Sequence, residues 1–245
     1  MTEIGDDGDP RMDAEYVRRV AGEGDDGDVL LLGVVHDHPA SRHRVRTVIA
    51  DYDPGVVALE VAPLALPAFE AVAADRPWAP ADGDEMSDAI AAAPDARTAG
   101  IDGIGAQFFA TLARNLYAER PSRREVRSVL TSVAAVAKEA ATYRAASLLR
   151  RYTPLRPSAG TPVEHDCDPT DPADVQAADE RRQTSTSLAF LRAIQQPTGM
   201  AVRDDTRETC MIRRLGDLRA DGDVAAVVGL GHVDPVAEGL TERTR

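Results

Sequence analysis

VLLLGVVHDHPAS, residues 29–41, decides the fold. Its continuous apolar run, closed by turn-forming residues, reads as a buried strand. Two histidines, His36 and His38, fall where that strand should give way to a helix. Ser41 is a candidate N-cap for a helix over RHRVRTVIADY, with Val45, Val48 and Ile49 on one face. Asp53-Pro54-Gly55 breaks the chain, and VVALEV (56–61) is a second buried strand. A strand, a helix and a strand joined by short links make a βαβ unit, which implies parallel pairing and a right-handed crossover.

Outward from this unit the pattern stays α/β. Residues 1–12 read as a solvated acidic tail, and DAEYVRRVAGE (13–23) as a short helix. Helices are expected over PLALPAFEAVAAD and SDAIAAA, and TAGID (98–102) is a short third strand. From about residue 105 to 200 the spacing is helical, with apolar positions at Val126, Val129, Leu130, Val133 and Val136. A loop rich in proline and acid interrupts it at 154–174. DVAAVVGLG (223–231) is the last strand. The expectation is one α/β domain over 13–245, with a mixed, partly parallel sheet, flanking helices and a central helical insertion.

Composition narrows the function classes. The 245 residues carry a net charge of −13, which disfavours nucleic acid and anionic membrane surfaces as partners. Lysine occurs once, at Lys138, while aspartate clusters at 6–9 and 25–28. An acidic, lysine-poor surface is one device for solubility at high salt, as in a halophilic protein; arginine replacing lysine in a GC-rich genome is the other reading. No stretch approaches the ~18 to 20 apolar residues of a membrane span, and the polar N-terminus is unlike a signal peptide. Cys167 and Cys210 are expected as free thiols in a reducing cytoplasm.

Two short segments repeat. Gly33-Val34-Val35-His36 and Gly229-Leu230-Gly231-His232 are both G-x-x-H, each following a buried strand. In open α/β sheets, ligands bind beyond the carboxyl ends of the strands. Glu60 lies near the end of VVALEV, where an unpaired carboxylate would be costly. Asp102 lies at the end of TAGID, where capping the next helix is an equal explanation. Two imidazoles and one carboxylate, from His36, His232 and Glu60, match a catalytic zinc or manganese site with an open position for water. The same three residues serve without metal if a histidine takes the proton from water. His38 and His43 are expected as exposed neighbours. EHDCD (164–168), with His165 and Cys167, is metal-like in composition but reads as a solvated acidic loop.

LLLGVVHDHPASRHRVRTVIADYDPGVVALEV resembles the opening of the TraB/PrgY/GumN family, which is similar to the Tiki-type metalloproteases. The resemblance continues in AGIDG and in DDTRETCMIRRLGDLRADGDVAAVVGLGHVDPV, where the family has an Arg four residues before a Met and then V-V-G-x-G-H-V. It covers both ends of the chain and is weak from about 105 to 195. It implies an α/β domain and a metal-dependent peptidase-like hydrolase. The family's motif residues fall on His36, Glu60, Arg207 and His232, with Arg207 binding a substrate carboxylate or an oxyanion. Where many members carry Arg about five residues after the Glu, this chain has Ala65.

Three readings follow. In the first, the chain is a metal-dependent hydrolase of peptides or small-molecule amides and esters. In the second, it is a non-catalytic module that holds a peptide, haem or metal. In the third, it is a metal-independent hydrolase with His36 as general base. Association into a homo-oligomer is left open.

Overall fold

The computed structural model describes residues 8–75, 84–150, 164–193 and 198–243. Five strands form one sheet: β1 (Val17–Val20), β2 (Val29–Val34), β3 (Val56–Leu59), β4 (Arg97–Gly100) and β5 (Val224–Gly229), in the order β1-β2-β5-β3-β4. β2, β5, β3 and β4 are mutually parallel, and β1 adds antiparallel to β2. The α/β class and the mixed sheet are therefore as the sequence implies.

Both faces of the sheet are covered. Alternate residues Leu31, Ala58, Ala226 and Val228 pack with α7 (Thr198–Leu218) and α8 (Leu230–Arg243), through Met211, Leu215, Val236 and Leu240. Leu30, Leu32, Val57, Leu59 and Val227 face the other way, onto α1 (Pro39–Tyr52), α2 (Leu66–Asp75) and α3 (Glu85–Ala92). Each fully buried aliphatic side chain contributes about 1.5–3 kcal/mol over an exposed one, so both faces of the sheet stabilise the fold. α4 (Ala106–Glu119), α5 (Arg123–Arg150) and α6 (Ala173–Ala193) stand between β4 and β5 in sequence.

This order sets the site. Strand β5 inserts between β2 and β3, which are joined through α1. The helix after β2 packs on one face, and the helix after β5 packs on the other. Such a divergence opens a crevice at the carboxyl ends of the strands. The glycine of the first G-x-x-H is part of the arrangement. A Cβ on Gly33 would stand 2.8 Å from Leu230 Cδ1 and 2.9 Å from Val233 Cγ2, so its absence lets the first turn of α8 approach β2.

Several expectations are corrected. Residues 13–23 do not form a helix: a 3₁₀ turn at Ala14–Tyr16 leads into β1. Val20 turns inward, while Arg18 and Arg19 reach Asp234 and Asp28, so VRRV serves as a charged edge strand. The expected acidic tail is folded over 8–12: Asp9 caps a 3₁₀ turn, and the carbonyl of Arg11 accepts from Arg44 Nε at 2.7 Å. Residues 1–7 lie outside the described set. Helix α1 begins two residues before the proposed cap. His38 is the N-cap, its Nδ1 accepting from Ala40 N, with Pro39 at the first helical position. Ser41 instead receives Val35 N–H at 2.8 Å and donates to Glu180. A final helix, α8, follows the last strand directly, with His232 in its first turn. Part of the loop expected at 154–174 lies outside the described residues.

A buried ion pair ties the insertion to the sheet. Arg44 and Glu180 are both fully buried, and Arg44 also donates to Gly33 O at 2.9 Å and lies 3.9 Å over the Tyr16 ring. Those contacts hold α6 against the strand that delivers His36.

Candidate functional site

Four parallel strands each deliver one chemically able residue at their carboxyl ends: His36 after β2, Glu60 after β3, Asp102 after β4 and His232 after β5. Glu60 continues the ladder, its N–H donating to Val227 O at 3.0 Å, so its side chain enters the crevice from a fixed backbone. A cavity of about 310 Å³ opens here, lined by His36, Glu60, Asp84 and Asp102 with Phe69 and Tyr143 from α2 and α5.

Arg207, on α7, organises one side. Its Nη2 donates to Glu60 Oε1 at 2.5 Å and to Asp102 Oδ2 at 2.8 Å, and its Nε faces the Asp102 carboxylate at 3.2 Å. Burial alone would lower the arginine's pKa; the two carboxylates outweigh it and hold the guanidinium cationic. Arg207 therefore does not pair with its helix neighbours: Asp204 is taken by Arg203. The other oxygen of Glu60 accepts Gly229 N–H at 2.6 Å, so the second G-x-x-H supplies a backbone donor as well as an imidazole. Asp102 is an ion-pair partner here, not a helix cap: α4 is preceded by Gly105.

Each histidine of the pair is held at Nδ1 by a glutamate. His232 Nδ1 lies 2.8 Å from Glu208 Oε1, and His36 Nδ1 lies 2.9 Å from Glu85 Oε1. With Nδ1–H donating to a carboxylate, Nε2 becomes the working nitrogen in both rings. His232 Nε2 accepts from Arg207 Nη1 at 3.4 Å and stands 3.6 Å from Glu60. Burial pushes His232 down, but Glu208 and Glu60 bring the net shift upward.

His36 is more open. Its side chain is 55% exposed, while that of Glu85 is 2% exposed. Glu85 Oε2 also accepts Asp37 N–H at 2.9 Å, which fixes the carboxylate against the loop. The hydrogen bond that His36 donates to Glu85 raises the His36 pKa from 6.5 to about 9, with Asp37 and Asp84 adding to it. Burial of the neighbouring Asp84 pushes its carboxyl up to about 6. Asp37 has a left-handed backbone (φ 57°), which brings its Oδ2 to 3.5 Å from His36 Nε2.

Glu85 and Glu208 are the residues of the candidate site that sequence reasoning missed. Glu208 adjoins Arg207 on α7, and nothing in its spacing links it to His232. Glu85 has a local signal, since Asp84 is an N-cap accepting Ser87 N–H at 2.7 Å, but nothing in the spacing links α3 to the end of β2.

His38 is not exposed. It is fully buried, and EHDCD packs onto it instead of standing in solvent: Cys167 Sγ is 3.7 Å from His38 Nε2 and the His165 ring meets it edge-on at 4.7 Å. His38 Nε2 also faces Asp179 Oδ2 at 3.2 Å. Because Nδ1 accepts from Ala40 N, the proton of a neutral ring sits on Nε2 and is donated to Asp179. Burial keeps His38 below its usual pKa and drives the Cys167 thiol up to about 12. The ring is thus committed as a cap and a donor, which removes its lone pair from ligation.

The fit of a divalent cation to His36, Glu60 and His232 can be tested on these contacts. Glu60 gives one oxygen to Arg207 and the other to Gly229, and His232 Nε2 also faces Arg207. A guanidinium therefore occupies the place that a cation between Glu60 and His232 would need. Among the described residues, the sets whose ligand atoms lie within 4.8 Å of one another are His36 with Asp37 and Glu85, and His38 with His165 and Asp179. Of the expected trio, His232 and Glu60 approach to 3.6 Å, while His36 falls in a different His/Asp/Glu group. Among the described residues no helix is long and apolar enough to cross a membrane. No protein-family model, curated protein or solved structure matches the chain.

Proposed function

We propose that the chain is a hydrolase of amide or ester bonds, peptide bonds included, in which His36 activates water. The observation that carries this reading is the pair of His–Glu dyads at the ends of adjacent parallel strands, one of them half-open to the cavity. His36 Nε2 removes a proton from water, and Glu85 stabilises the imidazolium that results. Arg207 completes the site. Of its five N–H donors, four point at Glu60, Asp102 and His232, and one on Nη1 is left for the substrate oxygen that gains charge during attack. The resemblance to the TraB/PrgY/GumN family also implies a hydrolase that uses His36 and Arg207, but a metal-dependent one, and it does not include Glu85.

A second reading has its own observation. His36, Asp37 and Glu85 form a His/Asp/Glu group of which His36 lines the cavity, and together they would hold zinc or manganese. Bound to them, a cation supplies Lewis acidity and a more acidic water. In either reading His36 is indispensable. Screening a peptide library against wild type and His36→Ala should show turnover falling at least ~100-fold in the variant. Full turnover in His36→Ala would overturn both.

A further inference from the structure

The cleft does not end at the acid–base groups. A second cavity of about 480 Å³ adjoins it and shares the walls Ala62 and Ala140. Its lining is largely apolar, from Pro63, Leu64, Ile104 and Phe108, and Leu64 is 48% exposed on its rim. An apolar wall that continues from a polar reaction site and is left open to solvent marks a place for the apolar part of a ligand.

Helix α7 gives this groove a direction. Asn115 of α4 donates to Asp205 and Thr206 of α7, and further along the same pair of helices Gln107 and Arg214 both line the groove. The two helices therefore run antiparallel. Arg207, Cys210 and Arg214 are spaced three and four residues apart, so they lie on one face of α7. Arg207 pairs with Glu60 and Asp102, which line the first cavity, and Arg214 stands two turns away, about 10 Å along the axis. Arg214 is exposed, and among the described residues it has no carboxylate partner. A cation at the far end of an apolar groove complements an anionic group on a ligand whose body is apolar. A span of about 10 Å holds about three extended residues. Gly103 and Gly105 line the groove without side chains, which leaves their backbone amides within reach of a peptide's.

We propose that this groove is the subsite for the carboxyl-terminal end of a peptide substrate. It takes about three apolar residues beyond the bond held at Arg207, and Arg214 receives the free terminal carboxylate. The proposal rests on the hydrolase reading for the identity of the bond, but the groove's ligand preference stands on its own.

The test is therefore made on binding, in the His36→Ala protein, where no turnover intervenes. An N-acetylated hexapeptide of leucine and alanine is titrated calorimetrically as the free acid and as the C-terminal amide, with octanoate as a third ligand. The free acid is expected to bind about fivefold more tightly than the amide, the scale of an exposed charge pair. Arg214→Gln should abolish that preference while leaving the amide's affinity unchanged. Ala137→Trp, which fills the groove from the exposed side of α5, should weaken both peptides at least tenfold. Equal binding of acid and amide, a preference that persists in Arg214→Gln, or octanoate binding as tightly as the peptide acid would each overturn the proposal. A wild-type protein that binds the peptide in this way but never cleaves it would count against the hydrolase reading alone.

Discussion

Replacing Glu85 by Gln separates a working dyad from a merely structural one. Glu85 Oε1 is the partner of His36 Nδ1 at 2.9 Å and the largest cause of the His36 pKa rising from 6.5 to about 9. If the neutral ring is the base, only about 1% of it is available at pH 7 and half at pH 9, so kcat/KM in the wild type should climb about fifty-fold across that interval. In Glu85→Gln the ring falls back toward 6.5, and the same climb should shrink to less than about twofold. The amide keeps one acceptor and must share it between His36 and the Asp37 N–H, so absolute rates will drop as well; the position of the limb is the readout, not its height. NMR titration of the His36 ring, assigned by its absence in His36→Ala, measures the same shift without a substrate. A wild-type limb near 6.5, or a variant that keeps the fifty-fold climb, would refute the dyad. Stability moves in the same sense. A histidine whose folded pKa lies above its unfolded value stabilises the fold fully below about 6.5 and loses that contribution as pH rises through about 9. The ring is more than half exposed, so solvent screening keeps this contribution small.

Other perturbations test the frame around the dyad. Arg207→Met leaves the mostly buried carboxylates of Glu60 and Asp102 facing each other without a cation, and should cost about 3 kcal/mol in urea denaturation at neutral pH; a loss under ~1 kcal/mol would mean that solvent already pairs them. Gly33→Ala pushes a methyl into Leu230 and Val233, so it should cost about 1–3 kcal/mol and lower turnover by displacing His232. Unchanged activity would separate the glycine from the site. His38→Ala removes the cap of α1 and the donor to Asp179, an expected loss of about 2–3 kcal/mol with no change in the pH limb of His36. If His36, Asp37 and Glu85 hold zinc or manganese, elemental analysis after loading will show near-stoichiometric metal that Asp37→Asn weakens, together with a downward shift of the His36 titration. Loading that ignores Asp37 would place any cation elsewhere.

How much of this was legible follows from the range of each interaction. Buried strands announce themselves by composition, because both faces of the sheet are covered and few polar residues are tolerated; hence β2, β3 and β5 were clear. β1 was not, because VRRV carries only two apolar residues and becomes a strand through pairing with β2, which no local pattern encodes. His36, Glu60, Asp102 and His232 were legible through a topological rule, that residues after parallel strands meet at one end. Their partners were not. The approach of α3 to the β2 loop, or of the EHDCD segment to His38, is decided by packing between segments far apart in sequence. A composition of His, Asp and Cys in a proline-rich stretch has the same appearance whether solvent or a buried imidazole surrounds it.

The same distinction explains why the metal expectation and the acid–base expectation part company here. Residue types alone could assign His36, His232 and Glu60 to a cation, since imidazole and carboxylate are common ligands. What differs is the charge that already sits beside them. Glu60 has both oxygens taken by donors, and His232 turns its free nitrogen toward a guanidinium. Arg207 thus does electrostatically for Glu60 and Asp102 what a metal would do, and it brings five fixed donors instead of an exchangeable ion. His36 has only the Asp37 carboxylate, at 3.5 Å, beside its Nε2, and its other nitrogen is held by a buried glutamate. In the proposed reading, that asymmetry assigns proton transfer to the β2 side of the cleft and charge stabilisation to the α7 side, and a substrate carbonyl would lie between them with its chain running along α7 toward Arg214.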